Sequence, residues 1–139
     1  MNFVLDASVA LSWCFEDEGD AYPLSVLSSL RHSEAVAASL WPLEVANGLL
    51  SAERRQRITP AESARAGRLL LSLPIAIDPV ARSTALLGTT ELGRRCGLSS
   101  YDAAYLELAI RLGLPLATVD GRLRSAAVAE GVPLYEGVS

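Results

Sequence analysis

Short, uninterrupted apolar runs alternate along this chain with longer stretches whose apolar residues recur every three or four positions. The first pattern predicts buried strands and the second amphipathic helices. Phe3-Val4-Leu5, Ala35 to Ser39, Ile75-Ala76-Ile77 and Leu114 to Val119 read as strands, with Pro133-Leu134-Tyr135 as an added edge strand. Helices are expected over Ala7 to Cys14, Leu24 to Arg31, Pro42 into the Glu53-to-Arg57 stretch, and Pro60 to Ser72. Three more are expected over Val80 to Cys96, from Ser99 onward, and over Arg122 to Ala129. Thr59-Pro60-Ala61-Glu62 is the clearest start signal, a cap whose Glu reaches back and whose Pro suits the first turn. Glu16 to Asp20 reads as an acidic loop. Strands alternating with helices give a single α/β domain over residues 1–139, its mostly parallel central sheet flanked by helices on both faces.

Composition narrows the class. Half of the residues are hydrophobic, which argues for a packed core rather than disorder. Every long apolar stretch is broken by a charge or a proline, so no membrane span is expected. The apolar N-terminus has no basic start, so a secretory signal is not expected either, and a cytoplasmic protein is. Cys14 and Cys96 fit buried, reduced thiols better than a disulfide scaffold.

The net charge of −4 does not advertise nucleic-acid binding, yet all twelve basic residues are arginine. Arginine grips phosphate in a planar, bidentate fashion, which makes Arg54, Arg55 and Arg57 candidate substrate contacts. They serve equally well as a solvated helix end. The absence of lysine excludes P-loop and aspartyl-phosphate chemistry. His32, the only histidine, lies in a polar turn and reads as a surface residue, which excludes a His-rich zinc site.

Four acids carry the candidate chemistry. Asp6 and Asp120 each follow a strand signal, while Glu44 and Asp102 fall in the first turns of helices. In a parallel α/β sheet those places lie along one edge, where ligands bind. Singly, each acid has a structural explanation, because helix N-termini favour carboxylates. Jointly they describe an acidic pocket whose charge calls for a hard cation such as Mg²⁺ or Mn²⁺. Asp6, Asp102 and Asp120 are the expected metal ligands, and Glu44 is either a ligand or a proton acceptor. Ser8, Asn47 and Thr118 are placed to support them. Asp78 also follows a strand, but Pro79 and the lack of a companion hydroxyl mark it as a helix cap.

The stretches Val4-Leu5-Asp6-Ala7-Ser8, Leu43-Glu44-Val45-Ala46-Asn47, Tyr101-Asp102-Ala103-Ala104-Tyr105 and Leu116-Ala117-Thr118-Val119-Asp120 resemble the PIN-domain family. Within it, the resemblance is to the small VapC-type toxins of prokaryotic toxin–antitoxin pairs, and it covers nearly the whole chain. It implies a single PIN-like domain and a Mg²⁺- or Mn²⁺-dependent endoribonuclease. It further implies a homodimer held inactive by a cognate antitoxin, with Asp6, Glu44, Asp102 and Asp120 as the catalytic quartet. Hydrolysis by a metal-activated water would leave 5′-phosphate and 3′-hydroxyl ends. Two rivals stand beside it: another Mg²⁺-dependent phosphohydrolase, and a non-catalytic protein-binding module using the Leu24/Leu27/Leu30 and Leu69/Leu70/Leu73 stripes.

Overall fold

The computed structural model describes residues 1–15 and 20–137. Most of the expected acidic loop from Glu16 to Asp20 therefore lies outside the described residues. Among the described residues the order is β1 (Phe3–Leu5), α1 (Ala7–Ser12), α2 (Ala21–Ser29), β2 (Ala35–Ala37), α3 (Trp41–Arg54) and α4 (Pro60–Ser72). There follow β3 (Ile75–Ile77), α5 (Thr89–Cys96), α6 (Ser100–Leu112), β4 (Leu116–Ala117) and α7 (Gly121–Ala129). A π-helical segment, Thr84–Gly88, runs directly into α5.

The strands form one sheet in the order β3-β2-β1-β4, every pair parallel. Val4 of β1 pairs with Val36 on one side and Leu116 on the other. Phe3, Val4 and Leu5 are fully buried, and a strand that apolar must be covered on both faces. One cover is α6, packed on β1 and β4 with α5 and α7 beside it. The other contains α1, packed against α2 and α3, with α4 on α3. The α1–α3 approach is close: a Cβ on Gly48 would meet the Leu11 side chain at 2.6 Å. That approach brings the start of α3 toward the end of β1.

Several boundaries differ from the sequence reading, each for a local reason. Helix α1 stops at Ser12, and Trp13 turns out of it to donate Nε1–H to the Pro23 carbonyl at 2.7 Å. Helix α2 begins three residues early and buries Pro23, Val26 and Ser29, so Leu24 is half-exposed rather than part of one inward stripe. The Val80-to-Cys96 helix starts two residues late, at Arg82, and passes through the wide π segment before α5. Strand β4 is only two residues, and directly after it Thr118 places its hydroxyl on Asp6. Pro133 to Tyr135 contributes a single parallel bridge, Leu116 to Leu134, rather than a full strand. Thr59 and Glu62 form the capping box. His32 is exposed, and Cys14 and Cys96 are free, half-buried thiols. No helix among the described residues is long and apolar enough to cross a membrane.

Candidate active site

Parallel pairing sets the ends of β1 and β4 side by side, so the Asp6 amide donates to the Ala117 carbonyl at 3.0 Å. One residue further along each strand, two side chains meet in the interior. Asp6 is 4 % exposed and Thr118 fully buried. Thr118 donates its hydroxyl to Asp6 Oδ2 at 2.7 Å, and Ser8 donates to the same oxygen at 2.6 Å. Both hydroxyls are held in turn: the Val119 amide donates to Ser8 and the Asp120 amide to Thr118. Asp6 occupies the cap position of α1 but makes no side-chain cap bond. Its carboxylate is aimed into the protein.

Glu44 enters from the first turn of α3 and accepts a short hydrogen bond from the Tyr105 hydroxyl on α6. Asp102 sits in the first turn of α6, its amide bonded to the Ser99 hydroxyl. Asp120 alone among the four uses its carboxylate as a cap, accepting from the Leu123 amide at 2.9 Å. The structure thus brings β1, β4, α3 and α6 to one edge, carrying all four acids there.

Their electrostatics show mutual strain. Burial pushes the Asp6 carboxyl above its usual range, and the Asp102 charge adds to it against the pull of the Ser8 and Thr118 hydroxyls. Burial also raises Glu44, which feels both Asp6 and Asp102, and raises Asp102, which feels Asp120. Tyr105 is held firmly protonated, first by burial and then by its bond to Glu44. These carboxylates repel one another, and among the described residues their hydrogen bonds come from hydroxyls and amides rather than from a guanidinium. Among the described residues no three acidic, cysteine or histidine side chains close around an ion by themselves. An acidic edge of this kind suits Mg²⁺, which keeps several waters and takes only one or two carboxylates.

The remaining sequence candidates divide. Ser8 and Thr118 stand in the Asp6 network. Asn47 is exposed, one turn along α3 from Glu44. Arg54, Arg55 and Arg57 lie at the other end of that helix, where Gln56 in the left-handed region ends it. Ten residues of helix separate Glu44 from Arg54, about 15 Å along the axis, so these arginines do not reach the acids. Asp78 is no cap: it accepts two bonds from the Arg111 guanidinium. Sequence reasoning passed over Tyr105, although it lies one helical turn beyond Asp102 and shares its face. It also passed over Arg124, which donates to the Thr118 carbonyl at 2.9 Å and lies over the Tyr22 ring.

The PIN domain model matches residues 3–129. Ribonuclease VapC9 of Mycobacterium tuberculosis is 32 % identical over 127 residues, covering 91 % of this chain and 92 % of that protein. Among solved structures, PAE2754 of Pyrobaculum aerophilum superposes with a TM-score of 0.70 at 23 % identity, covering 91 % of this chain and 79 % of that one. VapBC2 of Rickettsia felis, bound to a DNA fragment from their promoter, superposes with a TM-score of 0.67 at 14 % identity. That match covers 97 % of this chain and 98 % of that one. With the family model matching residues 3–129 and a ribonuclease 32 % identical over 91 % of its length, this chain belongs to the PIN-domain family.

Proposed function

We propose that this protein is an endoribonuclease dependent on Mg²⁺ or Mn²⁺, the toxin of a toxin–antitoxin pair acting in the cytosol. One observation carries the reading: a buried aspartate, Asp6, held on one oxygen by two hydroxyls at the sheet edge that also carries Glu44, Asp102 and Asp120. The ribonuclease names of the relatives at 32 % identity support the choice of RNA. A cation held at this edge by Asp6, Asp102 and Asp120, directly or through its own waters, would supply an activated water and neutralise charge on the scissile phosphate. Ser8 and Thr118 fix the Asp6 rotamer, so its free electron density keeps one direction. Tyr105 steadies Glu44, which ligates or accepts a proton. Attack by water needs no ribose 2′-hydroxyl and leaves 5′-phosphate and 3′-hydroxyl ends.

The chain works as a homodimer and is silenced by a cognate antitoxin in this reading. Exposed apolar side chains on and after α4, among them Leu71 at 87 % and Leu87 at 69 %, support a protein partner. The Rickettsia felis neighbour in fold is VapBC2 bound to a DNA fragment from their promoter, which supports a partner chain.

The test is cleavage of labelled single-stranded and structured RNAs with Mn²⁺, with EDTA, and by Asp102→Ala. Metal-dependent cutting that falls at least about a thousandfold in the variant is expected, the loss of roughly 4 kcal/mol of transition-state stabilisation. Full, chelator-insensitive activity of Asp102→Ala overturns the proposal.

A further inference from the structure

A second recess opens at the same sheet edge, next to the acids, where β2 and β3 end. Two of its lining residues adjoin the acids along the chain or through the backbone. Leu40, the cap residue of α3, lines it and accepts the Glu44 amide, while Tyr101 lines it and adjoins Asp102 in the first turn of α6. Its volume is about 180 Å³. A cavity of about 150 Å³ holds one benzene ring, so this one takes a single heterocycle rather than a whole nucleotide.

The lining has three parts. Leu40, Val80 and Ala104 make apolar walls. Ala85 belongs to the π-helical segment, whose wide turn is of a kind found at functional sites. Tyr101 lines the recess while leaving 63 % of its surface exposed, so an aromatic side chain at its rim is accessible to a ligand. The polar part is Asp78, Glu107 and Arg111. Arg111 donates to both carboxylates, at 2.7 Å to Asp78 Oδ2 and 2.8 Å to Glu107 Oε2. Two carboxylates against one guanidinium leave a formal charge of −1, which repels phosphate and favours hydrogen-bond donors.

We propose that this recess is a nucleobase subsite for the residue flanking the cut, and that it selects cytosine. The inference rests on the ribonuclease reading above and names its specificity element. A carboxylate accepts from the cytosine N4 amino group, whereas uracil presents a carbonyl oxygen at that position. Stacking on Tyr101 supplies affinity without regard to sequence. The Asp78–Glu107–Arg111 cluster supplies the choice between the two pyrimidines.

The test uses cytidine and uridine, which carry no phosphate to engage the acids. Each is titrated into the metal-free full chain while the methyl resonances of Ala85 and Ala104 are followed. Saturable shifts with cytidine, and binding of uridine at least about fivefold weaker, are expected. Ala104→Leu, which fills the recess, abolishes the cytidine shifts. Tyr101→Ala, at an exposed position that leaves folding alone, weakens binding roughly fivefold or more. Absent cytidine shifts in the wild type, or unchanged shifts in Ala104→Leu, overturn the subsite. Equal response to cytidine and uridine overturns the base assignment. Cytidine binding by a chain that cuts no RNA supports the recess while sinking the ribonuclease reading, so the two failures are told apart.

Discussion

Two groups of carboxylates sit along one edge of the sheet and are treated in opposite ways. At the β2–β3 end, Asp78 and Glu107 share the Arg111 guanidinium, joining the end of β3 to α6. At the β1–β4 end, Asp6, Glu44, Asp102 and Asp120 are bonded by hydroxyls and amides, and burial and mutual repulsion raise three of them. Residue type is alike, and Asp78 follows a strand just as Asp6 does, so neither feature decides the role. The neutralising partner does: acids with a built-in cation brace the fold, and acids without one among the described residues keep the charge on which the proposed cation site rests.

Metal addition sharpens that contrast most. Mn²⁺ at about a hundredfold over its Kd is expected to stabilise the wild type by about 2.7 kcal/mol, roughly 10 °C in Tm. Thermal melts of Asp102→Ala are expected to show almost none of this gain, and those of Arg111→Met nearly all of it. An equal gain in both variants would erase the distinction.

Removing the built-in cation is the next largest effect. Arg111→Met leaves Asp78 and Glu107 facing each other and is expected to cost about 1 kcal/mol in urea unfolding. The figure stays at the low end because the Arg111 side chain is 34 % exposed and screened. Stability unchanged or improved would mean that the pair does not brace β3 against α6.

Asp6→Asn should act with the opposite sign. The folded protein holds the Asp6 carboxyl above its ordinary value of 3.8, so ionising it disfavours folding. That penalty is absent below the unfolded value, grows as pH rises through it, and is complete above the folded value. Metal-free Asp6→Asn is therefore expected to be more stable than wild type at neutral pH, with the lead closing as pH falls toward 4. A variant less stable at every pH would show Asp6 to be a structural residue.

The smallest expected effect belongs to Tyr105→Phe. Losing its hydrogen bond raises the Glu44 carboxyl further, since that bond lowers it now. The acid limb of the cleavage profile then moves to higher pH while the plateau rate stays within about tenfold. An unmoved profile would make Tyr105 a packing residue only.

Legibility in the sequence followed the range of the interactions. Strand runs and caps are set by neighbours a few positions apart, and β1, β3, α4 and α7 fall within a residue of the expected bounds. The placement of the four acids at one edge also followed, because strand ends and helix starts are local signals and the parallel sheet collects them. Asp78 was misread as a cap because its partner Arg111 is 33 residues away. Tyr105 was missed because Glu44 is 61 residues away. The arginines after α3 looked close to the acids along the chain, but a straight helix carries them off. The π segment leaves no composition signal in Thr84–Gly88.

The grip on Asp6 also sets a schedule. Its two hydroxyl partners come from Ser8, two residues away, and Thr118, 112 residues away. During synthesis Asp6 leaves the ribosome well ahead of its second hydroxyl and of the neighbouring Asp120, which follow more than a hundred residues later. A partly made chain therefore cannot assemble the acidic edge, and a chain truncated before β4 should be harmless to the RNA of the cell that makes it.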